Sequence, residues 1–381
     1  MIEITQVEDL PSVQSLTLNL SATKNQILHL NTPLVESLAI SKQYKETGSK
    51  VWLKLDALQP SGSFKIRGIG LLCNKVVKEK NVKHLICSSG GNAGKSVAYA
   101  GKKLGIKTTI VLPKGIPQEV QEKIRDEGAI VIEHGNIWND ADILAREIAD
   151  KEGFDGYIHP FDNPVLWEGH STMIEEVYQD YLDGKTEKPD VVVCSVGGGG
   201  LLVGILQGLE KVGWSDVNVI AVETYGSHSL WKCFQNKQHT VLDVCDVTSV
   251  CKTLATRSVC KDAWEAAQRF NVTSVLVSDK EAIEACLTFV DQERVLVEPA
   301  CGAALAAVYK KVPELVKLSP KNILTIVCGG NNTSISQLNH LSNLFSTHTT
   351  TCPYPPKHDP LEIPKTLLTT RLTTTTTTTT N

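Results

Sequence analysis

Short apolar, β-branched runs alternate along this chain with longer stretches whose apolar residues recur at helical spacing. The runs predict strands over residues 51–56, 84–89, 108–113, 129–133, 191–196, 219–223, 273–277 and 323–328. Between them, helical spacing is clearest over 94–104, 118–127, 138–151, 166–182 and 201–212. Several of the strands are almost wholly apolar, as expected where helices cover both faces of a parallel sheet. Alternation of this kind predicts α/β architecture, with two units and a cleft at the carboxyl ends of their strands. No internal repeat is visible.

The end of the chain breaks the pattern. From about Ser346 it is dominated by threonine, with Pro353, Pro355 and Pro356 and a closing threonine run before Asn381. So little apolar content predicts a disordered tail without a catalytic role.

Composition changes the picture only by exclusion. The chain has 381 residues, 41% of them hydrophobic and 21% charged, in the ordinary range for a globular protein. A net charge of −4 gives no electrostatic reason to expect nucleic acid or an anionic membrane as partner. No apolar run reaches the roughly 18–20 residues a membrane-spanning helix needs. The first twenty residues carry Glu3, Glu8 and Asp9 and lack the basic start and apolar core of a secretory signal. The 11 cysteines are scattered without the close pairs of a zinc site. They read as reduced thiols in a cytoplasmic protein.

Candidate chemistry is concentrated at four loops. After the first strand comes Pro60-Ser61-Gly62-Ser63-Phe64-Lys65-Ile66-Arg67-Gly68, which sets one lysine between turn-forming residues and an aromatic. Far downstream, Ser195-Val196-Gly197-Gly198-Gly199-Gly200-Leu201 joins an apolar strand to a helix. Four consecutive glycines exceed what one turn requires, and their flexibility has an entropic cost that a bound ligand would offset. Backbone N–H groups there, with the helix dipole, suit a phosphate. The loop lacks the lysine of a P-loop and the spacing of a dinucleotide fingerprint. An amine nucleophile and a single-phosphate cradle together point to a phosphorylated aldehyde held as a Schiff base.

Two further loops fit the same site. Ser88-Ser89-Gly90-Gly91-Asn92-Ala93-Gly94 precedes a helix and offers backbone donors, two hydroxyls and an amide, a suitable nest for an amino-acid carboxylate. Its asparagine also suits a phenolic oxygen. Val327-Cys328-Gly329-Gly330-Asn331-Asn332 closes the last strand and brings a thiol, either for the core or for a heterocyclic nitrogen.

These loops, with Glu298-Pro299-Ala300-Cys301-Gly302-Ala303, occur in the order seen in fold-type II pyridoxal-phosphate enzymes. The chain resembles most closely their animal L-serine dehydratase and serine dehydratase-like group, over residues 30–341. The resemblance implies a tryptophan-synthase-β-like fold of two open parallel-sheet α/β domains with the active site in the cleft between them. A large cofactor-binding domain would comprise residues 30–60 and 162–345 and a small one 61–161, with an extension at 1–29 and the tail at 346–381.

It also implies roles. Lys65 would be the Schiff-base lysine, Phe64 would pack on the cofactor ring, and Gly197, Gly198, Gly199 and Gly200 would hold the phosphate. Asn92 would meet the ring hydroxyl and Cys328 the pyridine nitrogen, while Ser88, Gly90, Asn92 and Ala93 would surround the substrate. A monovalent cation, typically potassium, would lie beside the phosphate loop on Glu223, Ser227 and Leu254, although the sequence over 250–261 departs from the family's usual pattern. Some members carry alanine where this chain has Gly90. The implied activity is β-elimination on L-serine and L-threonine, in a homodimer whose only other partner is the amino acid.

Other readings remain open from sequence. A racemase or β-replacement enzyme of the same fold would use the same lysine and phosphate loop. A racemase also needs a second acid or base on the opposite ring face, and none is evident near Gly90. A nicotinamide dehydrogenase would need a glycine fingerprint that no helix here opens with. A cofactor-binding protein without efficient turnover would keep the same motifs.

Overall fold

The computed structural model describes residues 26–136 and 138–347. The tail and nearly all of the N-terminal extension therefore lie outside the described residues. Gln26 to His29 do not: Leu28 joins the core, and the Asn74 Nδ2 donates to the Gln26 carbonyl at 2.6 Å.

Among the described residues, nine strands form two sheets. The larger contains β1 (Leu34–Glu36), β2 (Lys50–Lys54), β6 (Val191–Ser195), β7 (Asn218–Thr224), β8 (Val272–Val277) and β9 (Asn322–Ile326), in the order β1-β2-β9-β6-β7-β8. All its pairings are parallel except β1 with β2. The smaller sheet is β3 (His84–Cys87), β4 (Lys107–Leu112) and β5 (Ile130–Glu133), all parallel.

The reasons are local and simple. Val191 to Ser195 are buried throughout, as a strand sandwiched by helices must be. The helix Pro299–Tyr309 is apolar on every side and lies in the core against the larger sheet. Helix Pro164–Leu182 starts with Asn163 capping the Val165 N–H and proline at the first position, where a missing N–H does no harm. Helix Asp279–Glu293 starts with a capping box between Ser278 and Glu281.

The pattern-based strands agree with these elements to within two residues, apart from two points. The run beginning at Val51 ends at Lys54, because Asp56–Leu58 turn into a short 3-10 helix. The antiparallel edge strand β1 was not anticipated: three residues are too few to set up an alternation. No helix among the described residues is long and apolar enough to cross a membrane.

Candidate active site

Lys65 opens the helix Lys65–Glu79, and the loop before it is sewn to the loop after β9. The Phe64 N–H donates to the Cys328 carbonyl at 3.1 Å, the Gly330 N–H donates to Gly62 at 2.8 Å, and the Asn331 amide donates to the Ser61 carbonyl. Two of the four sequence loops are therefore one piece of structure.

The helix itself is pinned by Arg67, a fully buried guanidinium. It makes paired hydrogen bonds with Asp56, at 2.6 and 2.8 Å, and with Glu176, at 2.6 and 2.8 Å. Lys54 joins Glu176 at 2.6 Å, so two buried cations face two carboxylates. A buried ion set of this kind is weak evidence for stability, but removing one member leaves an uncompensated charge. Sequence reasoning quoted Arg67 without giving it a role.

The Lys65 amine donates to the Pro160 carbonyl at 2.8 Å and lies 5.1 Å from the centre of the Phe64 ring. Burial is the largest influence on it and lowers its pKa to about 8. Nearby thiols and Glu298 oppose that fall. Burial pushes the Cys87 and Cys260 thiols up to about 12, so they carry little charge near neutrality and desolvation wins. The His170 ring lies tilted at 58° to that of Phe64, its centre 4.9 Å away; it is fully buried, neither ring nitrogen has a partner, and burial holds its pKa well below the ordinary value.

Pro160 leads directly to the glycine loop. The next residue, Phe161, presses its ring where a Gly198 side chain would be and its carbonyl where a Gly200 side chain would be. Gly199 takes a left-handed φ of +89°, and a Cβ there would lie 2.5 Å from that of Ala263. The protein's own packing thus requires these glycines. That corrects the entropic argument made from sequence, in which flexibility alone implied a ligand. The ligand argument survives on different ground: among the described residues the N–H groups of Gly197, Gly198, Gly199 and Gly200 have no protein acceptor. Four unpaired donors leading into the start of helix Gly200–Lys211 suit a phosphate.

The 88–94 loop leaves β3, and Asn92 is already the first residue of helix Asn92–Leu104. Its amide is committed on both sides. Oδ1 accepts the Asn331 N–H at 3.0 Å, and Nδ2 donates to Glu298 at 2.7 Å. Thr253 donates to the same Glu298 oxygen at 2.5 Å. The two serines part company. Ser88 is fully buried and donates to Asp142 at 2.5 Å, beside Tyr157, which donates to the same oxygen, and Arg146 at 2.7 Å. Ser89 keeps partial exposure, and its hydroxyl accepts the Gly91 N–H at 3.3 Å. The Ser88 hydroxyl is thus committed to Asp142, 54 residues on, the feature that sequence reasoning missed. Gly90 and Ala93 lie on the same loop, Ala93 buried.

Cys328 is buried, with its sulfur 3.5 Å from the Ser195 hydroxyl at the end of β6. The Ser227 hydroxyl donates to the Leu254 carbonyl at 2.7 Å, so that pair does come together. Glu223 is buried and accepts the N–H groups of Leu230 and Trp231 at 2.9 and 2.7 Å, and burial raises it to about 8. No cluster of three or more His, Cys, Asp or Glu side chains fit to hold a metal occurs among the described residues.

Comparison with known proteins bears on this geometry. A sequence model of the family described as pyridoxal-phosphate dependent enzymes matches residues 26–329. The L-serine dehydratase of Dictyostelium discoideum is 64% identical over 320 residues, 82% of this chain and 91% of that protein. The human L-serine dehydratase/L-threonine deaminase is 43% identical over 320 residues, 82% of this chain and 94% of that one. Among solved structures, a fungal L-serine ammonia-lyase from Rhizomucor miehei aligns with a TM-score of 0.76 at 32% identity, covering 83% of this chain and 98% of that chain.

Proposed function

This chain belongs to the pyridoxal-phosphate dependent enzymes, in the fold-type II branch with the L-serine dehydratases, and from that premise we propose that it converts L-serine to pyruvate and ammonia. L-threonine gives 2-oxobutanoate and ammonia by the same route. The observation that carries the reading is the Lys65 amine, buried, lowered to about 8, and held at Pro160 beside four unpaired glycine N–H groups.

When bound, pyridoxal phosphate supplies an aldehyde that captures amino groups and a ring that accepts electrons from Cα. The chain's residues do the rest. The glycines 197–200 hold the phosphate through their N–H groups and the helix start. Phe64 would pack on the ring, the remaining Asn92 N–H would meet the ring oxygen, and the Cys328 thiol would stand at the ring nitrogen. A thiol is a weaker partner there than a carboxylate and would favour elimination over transamination. The N–H groups of the 88–94 loop, with the Ser89 hydroxyl, hold the substrate carboxylate. Lys65 anchors the cofactor and then, as a free amine, removes the Cα proton, a role its lowered pKa suits near neutrality.

In the same reading the larger sheet belongs to a domain of residues 30–60 and 162–345 and the smaller to one of 61–161, with the cofactor between them. Glu223, a buried carboxyl with no ion-pair partner among the described residues, and the Ser227 hydroxyl held on the Leu254 carbonyl suit a monovalent cation such as potassium. The protein would act in the cytoplasm as a homodimer.

The test is an absorbance spectrum of the protein with pyridoxal phosphate, then a pyruvate assay after adding L-serine, in potassium and in sodium buffer. A visible band that Lys65→Ala abolishes, followed by pyruvate, is expected. A band without pyruvate would shift the reading to a racemase, a replacement enzyme or a binding protein; no band would overturn it.

A further inference from the structure

Glu298 is the residue before helix Pro299–Tyr309, where a side chain often caps the first N–H groups. Its carboxyl does not cap. It turns towards the cleft, where Oε1 accepts the Asn92 amide at 2.7 Å and the Thr253 hydroxyl at 2.5 Å, while Oε2 is buried and meets no side-chain donor among the described residues. Room for it is left by Gly330, at a φ of +121°, where any Cβ would collide with the carboxyl.

The consequence falls on Asn92. With Oδ1 held by the Asn331 N–H and one Nδ2 hydrogen by Glu298, the amide cannot flip. It offers the cleft its second Nδ2 hydrogen, a donor held in one orientation. We propose that Glu298 is a positioning residue that works through Asn92: as a carboxylate it fixes the amide so that its remaining N–H meets the cofactor's ring oxygen, and on taking up a proton it releases that hold. The ring-oxygen part rests on the cofactor reading above; the link between Glu298 and Asn92 does not.

The surroundings place the switch near neutrality. Burial is the largest influence on Glu298 and raises it to about 6, against the hydrogen bonds from Thr253, Asn92 and the Asn332 backbone and the charge of Lys65, which favour the ionised form. Across from it, on helix Asp279–Glu293, burial pushes the Cys286 thiol up, so it stays uncharged. Lys252 and His340 line the same cavity of about 470 Å³, which reaches solvent and gives a proton a path. The sign follows: above pH 6 the carboxylate predominates and holds Asn92, and below it the neutral acid, a poorer acceptor, lets go.

The experiment uses full-length protein with asparagine side-chain amides labelled for NMR, without cofactor. The Asn92 signal, identified by its loss in Asn92→Asp, is expected to move with a midpoint near pH 6. In Glu298→Gln, which keeps the shape and an acceptor oxygen, it should stay still. No movement in the wild type, or the same movement in Glu298→Gln, overturns the proposal. With pyridoxal phosphate bound, the visible band should change through the same pH range only in the wild type. Binding should weaken about tenfold in Glu298→Gln, as for a lost charged hydrogen bond. A band that titrates alike in both proteins also overturns it. If no band forms in either, the cofactor reading fails while the amide signal still decides Glu298.

Discussion

The two glycine-rich loops of the cleft are built in opposite ways. The 197–200 loop, leaving β6 of the larger sheet, is walled by Phe161, Leu254 and Ala263, so that no side chain fits at Gly198, Gly199 or Gly200, and Gly197 is tight against Leu254. The 88–94 loop, leaving β3 of the smaller sheet, is held by side chains instead: Ser88 is latched to Asp142, and Asn92 to Glu298 and Asn331. Gly90 keeps ordinary contact room, with Leu112 and Ile116 at 3.4 Å from where its Cβ would be. In the proposed reading, a loop that holds the same phosphate throughout gains from being frozen by backbone packing. One that meets the substrate can be retuned one side chain at a time.

Gly198→Ala tests the frozen half and should have the largest effect. Its methyl group enters the Phe161 ring, and overpacking of that kind costs about 1–3 kcal/mol. If the strain falls on the bound state, affinity for pyridoxal phosphate drops by up to about 100-fold. An absorbance titration and thermal unfolding with and without cofactor would measure both parts. Unchanged affinity and Tm would mean that Phe161 moves freely, and the loop is not frozen.

The lysine between the loops gives the next effect. Only the neutral amine attacks an aldehyde, and below its pKa that form falls tenfold per pH unit. The rate at which free protein captures pyridoxal phosphate should therefore rise about tenfold per unit up to pH 8 and level off above it. A plateau displaced to near pH 10 would show that the amine is not desolvated. His159, which burial lowers to about 4, is neutral throughout that range and adds no second inflection.

Asp142→Asn tests the latch. It removes a charged acceptor from Ser88, Tyr157 and Arg146 together, a change worth about 1.5–3 kcal/mol where such a bond is buried. Because Asp142 touches the loop and not the reacting atoms, KM for L-serine should rise about tenfold with kcat less affected. Ser88→Ala should reproduce only part of this. An equal fall in kcat with KM unchanged would instead place the cluster in the chemical step.

How far the sequence carried each loop follows from where the determinants lie. Parallel, buried strands such as β6 and β9 announce themselves as apolar runs, and the glycines after β6 are plain in composition. Their reason is not, since Phe161 and Ala263 come from other parts of the chain. Adjacent serines look alike on the page; that Ser88 is tied to a carboxylate is decided by Asp142, 54 residues away. Glu298 and Arg67 sat inside quoted motifs, yet their roles exist only through partners, Asn92 at a separation of 206 residues and Glu176 at 109. Local pattern reveals elements and loops; long-range contacts assign the work within them.

The smallest effect belongs to the tunable half. Gly90→Ala places a methyl 3.4 Å from Leu112 and Ile116, at normal backbone geometry. Filling such room changes stability by less than about 1 kcal/mol, and losing a glycine's freedom in the unfolded chain favours folding by a similar amount. Tm should therefore move by no more than a few degrees, and the pyridoxal phosphate band should be unaltered. Any change should appear in the ratio of kcat/KM for L-serine to that for L-threonine, because the added methyl narrows the loop that receives the amino acid. Loss of cofactor binding on this substitution would make the two loops equally rigid, and the contrast between them would fail.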